Sequence, residues 1–105
     1  MNIRIIDGIL KGTLEILYRK IMDPKIKNLI EQSGVTTVGL CSGKFVDMIV
    51  ASDIAEKAAN VIVSEIAGLC PQHTICVGVF GDTASVKSAL KAIENNFKME
   101  THIKK

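Results

Sequence analysis

Residues 60–80 read NVIVSEIAGLCPQHTICVGVF. Two apolar, β-branched runs, 60–66 and 74–80, flank a short segment with glycine, proline and polar residues, the signature of two strands joined by a tight connection. A hairpin tip is usually Asn-Gly or a similar pair. Here it is Gly68, Leu69, Cys70, Pro71, Gln72 and His73. Pro71 fixes its own φ and biases Cys70 towards an extended backbone. A thiol and an imidazole thus lie three residues apart on a stiffened loop, and the rest of the chain is read as its support.

Working outward, residues 45–60 contain neither glycine nor proline, and Val46, Ile49, Val50, Ile54, Ala55 and Ala58 approach a helical stripe before the hairpin. Residues 35–41 form a β-rich run that Ser42-Gly43 is expected to stop. After the hairpin, Gly81-Asp82 ends the strand. Asp82 or Thr83 then caps a helix over 83–95, with Val86, Leu90, Ala92 and Ile93 inward. Residues 97–103 alternate and suggest a last strand. Near the N-terminus, 2–6 reads as a short strand closed by Asp7-Gly8. The alternation of Leu14, Ile16 and Tyr18 suggests another strand over 13–21. Asp23-Pro24 opens a helix that ends at Ser33-Gly34. From residue 35 the order strand, helix, strand, strand, helix, strand is a split βαβ arrangement on an antiparallel or mixed sheet, an α+β fold.

With 105 residues the chain makes one domain. It is 48% hydrophobic but only 4% aromatic, so its core is aliphatic. That much apolar surface on a small domain implies burial between subunits. A net charge of +2 with scattered basic residues carries no nucleic-acid footprint. No apolar run reaches the ~20 residues of a membrane span, and no signal-peptide pattern opens the chain. Both point to the cytoplasm. Three cysteines, Cys41, Cys70 and Cys76, with no CxxC pair, argue against a disulfide framework and against a metal site within one chain. Cys41 and Cys76 sit in apolar runs and read as small buried hydrophobes. Cys76 is the nearer of the two to the loop. His102 reads as a solvated tail residue. Gly78 and Gly81 lack the third glycine of a nucleotide loop, and Asp82 explains the following helix better.

Three stretches carry a resemblance: VGL (38–40), MIVASDIAEKAANV (48–61) and VGVFGDTASVKSAL (77–90). Together they resemble the bacterial microcompartment (BMC) shell domain. The resemblance implies a permuted BMC-domain fold over residues 1–105, with helices packed on a ferredoxin-like sheet. Residues 1–34 would be N-terminal strands and a helix moved from the usual C-terminus, 35–98 the core and 99–105 a tail. Residues 3–6 would be an extra leading strand, which in the permuted branch can join a small barrel at the six-fold axis. The resemblance further implies homohexamers tiling a shell with other shell proteins, without catalysis and without nucleic-acid or membrane partners. Gly68 to His73 would be the pore loop. Gly-x-Cys-Pro-Gln is similar to the glycyl-radical-type permuted shell proteins that bind an iron–sulfur cluster in the pore, although His73 stands where those proteins have glycine. Lys44 loosely resembles the hexamer-edge lysine of the family.

One thiolate cannot hold an iron–sulfur cluster, which typically takes four. A hexamer gathers one Cys70 from each subunit, enough for a shared 4Fe–4S cluster that transfers electrons, senses redox state or plugs the pore. His73 is a polar loop residue, an alternative ligand or a hydrogen-bond donor to the cluster. Other readings stand beside this one. A metal-free tile would gate a polar metabolite with Gln72 and His73. A free-standing ferredoxin-like domain would sense a ligand. An enzyme with Cys70 as nucleophile and His73 as base lacks a pocket and an orienting group.

Overall fold

Successive side chains of a strand point to opposite faces, and here both faces of the central strands are apolar. That composition calls for cover on two sides. The computed structural model, which describes residues 1–68 and 74–103, with side chains as far as Lys98, supplies it. The described elements are β1 (Asn2–Asp7), α1 (Lys11–Tyr18), α2 (Pro24–Gln32), β2 (Thr37–Lys44), α3 (Phe45–Ala58), β3 (Ile62–Ile66), β4 (Thr74–Gly81) and α4 (Thr83–Ile103). The four strands form one sheet in the order β1-β2-β4-β3, antiparallel at every pairing.

On one face, Cys41, Val77 and Val79 pack with Met48, Ala51 and Ala55 of α3 and with Val86, Ala89, Leu90 and Ile93 of α4. On the other, Val38 and Phe80 pack with Tyr18, Ile21 and Ile30 from the α1–α2 segment. Each fully buried large aliphatic or aromatic side chain stabilises the fold by roughly 1.5–3 kcal/mol. Two helical layers therefore clamp the sheet, and the second comes entirely from the first third of the chain.

Several expected elements form as read. Asp23 caps α2, its carboxylate accepting from the Lys25 backbone N–H at 2.9 Å. Gly34 follows the helix at φ +64°, a backbone that favours glycine. The Ser85 backbone N–H donates to Asp82 Oδ1 at 2.8 Å, so Asp82 is the cap of α4.

Others change. The strand expected over 13–21 is replaced by the helix α1, which ends at Tyr18, and by the turn after it that carries Ile21. Leu14, Leu17, Tyr18 and Ile21 recur at helical spacing and face the core, whereas Ile16, which the alternating reading needs inside, is 56% exposed. The strand expected over 97–103 is the continuation of α4, with Phe97 one turn beyond Ile93 and packed against the same core. Ser42-Gly43 does not stop β2. The strand runs to Lys44 because Ser42 pairs with both Asn2 and Cys76, and Gly43 with Ile75. The leading strand is no addition beside the sheet: β1 pairs with β2 along its whole length and is the sheet's fourth strand. The split βαβ order is thus completed from the N-terminal end.

A polar knot fixes β1 to the start of β2 and α4. Thr83 Oγ1 donates to Asp7 Oδ1 at 2.8 Å, and the buried Thr37 hydroxyl donates to the same oxygen at 3.3 Å while lying 2.8 Å from Thr83 Oγ1. Shared hydrogen bonds of this kind satisfy the buried Thr37 and hold three elements in register.

Candidate functional site

The β3–β4 hairpin holds the candidate loop. Its last described cross-strand pair is Ile66 with Cys76. Gly68 is exposed, and nothing lies within 4 Å of the position a Cβ would take. Leu69, Cys70, Pro71, Gln72 and His73 fall outside the described residues, so the site is described through its stem.

One side of the stem rests on the α1–α2 layer. Ile66 packs against the cluster around Tyr18 and Ile21, and the Ala67 backbone N–H donates to the Lys20 carbonyl at 2.7 Å. The corner between α1 and α2 therefore ties down the incoming end of the loop. Reading residues 13–21 as a strand hid this contact; their spacing of three and four was the signal for it. The outgoing end is held by β2, whose last residue, Lys44, pairs with Thr74. Lys44 is exposed and stands at the loop end of the sheet.

The remaining cysteines take different positions. Cys41 is buried at 1% exposure inside the core. Burial, with a lesser contribution from Cys76, pushes its thiol from the ordinary 9.0 up to about 11. Cys41 is thus a protonated, inert core residue. Cys76 is half-buried two residues into β4, opposite Ser42 on one side and Ile66 on the other. Among the described residues no group of three or more His, Cys, Asp and Glu side chains could hold a metal ion. The His102 side chain lies outside the description.

The Gly78–Asp82 segment makes no phosphate cradle. The Asp82 carboxylate already occupies the N-terminus of α4, taking the Ser85 backbone N–H at 2.8 Å and the Ser85 hydroxyl at 3.1 Å. These contacts hold the Asp82 carboxyl below its ordinary pKa. Gly78 serves packing instead. A Cβ there would lie 2.7 Å from Phe80 Cε1 and 3.0 Å from Ile66 Cδ1, so the glycine lets Phe80 and Ile66 close over β4. No described helix is long and apolar enough to cross a membrane.

Comparison with known proteins places this geometry. The sequence profile of the BMC domain matches residues 37–105. The ligand-free GrpU microcompartment shell protein from Pectobacterium wasabiae is 31% identical, with 89% of this chain and 99% of that chain covered and a TM-score of 0.70. The GrpU microcompartment shell protein from Clostridiales bacterium 1_7_47FAA, also ligand-free, is 34% identical, with 90% and 88% covered and a TM-score of 0.66. The fused permuted hexameric shell protein MSM0275 from the RMM microcompartment shares the fold at 16% identity, with 92% of this chain and 45% of that chain covered and a TM-score of 0.66. Among curated protein sequences, none matches.

Proposed function

Since the chain belongs to the BMC-domain family of microcompartment shell proteins, a structural family rather than an enzymatic one, we propose that it is a permuted shell tile whose hairpin loop binds an iron–sulfur cluster through Cys70. Family membership removes the free-standing sensor from the alternatives. The permuted order is supported by where the family profile starts. It begins at Thr37, yet β1, α1 and α2 precede it and pack on the same sheet. Residues 1–34 are then the moved segment of a single domain spanning 1–105. The tile would be a homohexamer in a cytoplasmic microcompartment shell, meeting other shell proteins at its perimeter. A perimeter role for Lys44 rests on resemblance alone; its register beside Thr74 makes it a charge next to the loop stem.

The observation that carries the cluster assignment is the division of the cysteines. Cys41 is buried and held protonated, and Cys76 is paired within the sheet. Cys70 is the thiol that follows the end of β3, beyond Gly68. The donor set of one chain does not suffice for a cluster. The assignment therefore requires a ring that brings Cys70 from several subunits to one axis, with Gly68, Leu69, Pro71, Gln72 and His73 forming the pore around it. A cluster held there would supply one-electron chemistry, with Cys70 as the ligand each subunit would contribute.

Anaerobic reconstitution tests this reading. Wild-type protein is expected to gain visible charge-transfer absorbance, and Cys70→Ser to lack it. Full absorbance in Cys70→Ser, or a colourless wild type, contradicts the assignment; the second result favours a metal-free pore lined by Gln72 and His73.

A further inference from the structure

The two helical layers on the sheet are held unequally. In the α3–α4 layer the helices span 14 and 21 residues. In the α1–α2 layer they span 8 and 9, lengths at which a helix is marginal without tertiary support. α1 is the weaker of that pair. Its N-cap, Leu10, supplies no side-chain hydrogen bond, and Gly12 occupies its first turn. It has no acidic residue at its start and no basic residue at its end to favour the helix dipole. Two glycines bracket the layer. Gly8 at φ +67° and Gly34 at φ +64° flank residues 9–33, and nothing lies within 4 Å of either Cβ position. Between them Tyr18, Ile21 and Ile30 are the buried side chains. Backbone hydrogen bonds tie the segment to the rest at its start, where the Ile9 N–H donates to the Thr36 carbonyl at 2.9 Å, and at its corner, where the Ala67 N–H donates to the Lys20 carbonyl at 2.7 Å.

We infer that residues 9–33 form a strap that opens as a unit about Gly8 and Gly34 while the sheet and the α3–α4 layer stay folded, and that its opening frees the loop stem at Ala67. Stability is not uniform across a fold, and a segment with few buried side chains opens ahead of its core. The bond from Ala67 to Lys20 makes the stem part of the same unit. Ala67 stands three residues before Cys70, so the strap sets how firmly the incoming end of the loop is held. The use of such a strap rests on the cluster reading. A cluster that takes roughly four thiolates leaves some loops of a hexamer unused, so the loops cannot all be held alike. Straps that open subunit by subunit let the stems differ.

Amide hydrogen exchange, read residue by residue in the cluster-free wild type, tests the strap. The amides of α1, α2 and Ala67 are expected to share one level of protection, below that of β2 and β4. Ile93→Val weakens the core on the other face of the sheet. It is expected to speed the slowest amides of β2 and β4 by about fivefold while leaving α1, α2 and Ala67 unchanged. Leu10→Asp/Gly12→Ala supplies the missing cap and fills open space. It is expected to slow α1, α2 and Ala67 together by roughly tenfold. In anaerobic reconstitution the same variant is expected to take up the cluster more slowly by that factor. Strap amides as protected as the sheet, strap amides that speed up with it in Ile93→Val, an Ala67 amide that ignores Leu10→Asp/Gly12→Ala, or cluster uptake at the wild-type rate overturns the inference. A wild type that stays colourless overturns the cluster reading instead, and the exchange results still decide the strap.

Discussion

At the scale of single residues, Gly78 and Phe80 form a matched pair beneath the loop stem. Adding a methyl at Gly78 forces a fully buried ring and the Ile66 tip to move. Overpacking of this kind costs about 1–3 kcal/mol. Gly78→Ala is expected to lower stability by that amount in denaturant unfolding, and Phe80→Leu in the same chain to relieve part of it, giving a non-additive double-mutant cycle. Additivity would show that the close approach carries no strain. Cys41 makes a prediction in pH. Its folded-state pKa is raised, so the folded chain retains a proton that the unfolded chain loses. Its contribution to stability is complete below pH 9.0 and is lost as pH rises to about 11. Cys41→Ala is less stable at neutral pH, through the cavity, but its unfolding midpoint declines less over that alkaline interval. The Asp82 cap has the opposite sign. Its carboxyl is held below the ordinary 3.8, so its contribution is present above that value and fades as pH falls further. Asp82→Ala is expected to lower the melting temperature at pH 7, with the gap to wild type narrowing in acid.

At the scale of elements, α1 shows where the sequence misleads and why. Leu14, Ile16 and Tyr18 alternate, but Leu14, Leu17, Tyr18 and Ile21 also repeat every three to four residues, so a short apolar segment satisfies both periods. Tertiary packing decides between them, because the apolar sheet face of Val38, Phe80 and Ile66 requires a cover and a helix provides it. Substitutions separate the two arrangements. Ile21→Ala, at a 4% exposed position, is expected to cost roughly 2–5 kcal/mol, whereas Ile16→Lys stays within about 0.5 kcal/mol. A strand with Ile16 inside would make Ile16→Lys severe. The same ambiguity misplaced residues 97–103, where nothing in Asn95-Asn96 breaks the helix and Phe97 continues its inner face. Elements with explicit punctuation were legible: Asp23-Pro24, Ser33-Gly34 and Asp82 mark helix ends through caps whose hydrogen bonds are local. Cys70, Pro71 and His73 single the loop out in the sequence and lie outside the described residues; the support of its stem was not legible. The bond from Ala67 to Lys20 joins residues 47 positions apart by sequence number, and no local signal encodes it.

At the scale of the whole molecule, the chain is built to be surrounded. Both faces of the sheet are covered by helices from the same chain, yet Phe45, Val46 and Ile49 remain outside, and an apolar content of 48% exceeds what one small domain hides. The proposed tile would account for that surplus, since neighbouring copies would bury it. The proposed ring would also change the chemistry available to the loop. There a thiol that is a poor ligand alone would become one member of a set that symmetry assembles. Native mass spectrometry of the anaerobically reconstituted protein tests this most directly, because oligomer and cluster are read in one spectrum. The account predicts a hexamer carrying the mass of one iron–sulfur cluster, and a Cys70→Ser hexamer without it. A cluster retained in Cys70→Ser, or carried by a monomer, would contradict the account.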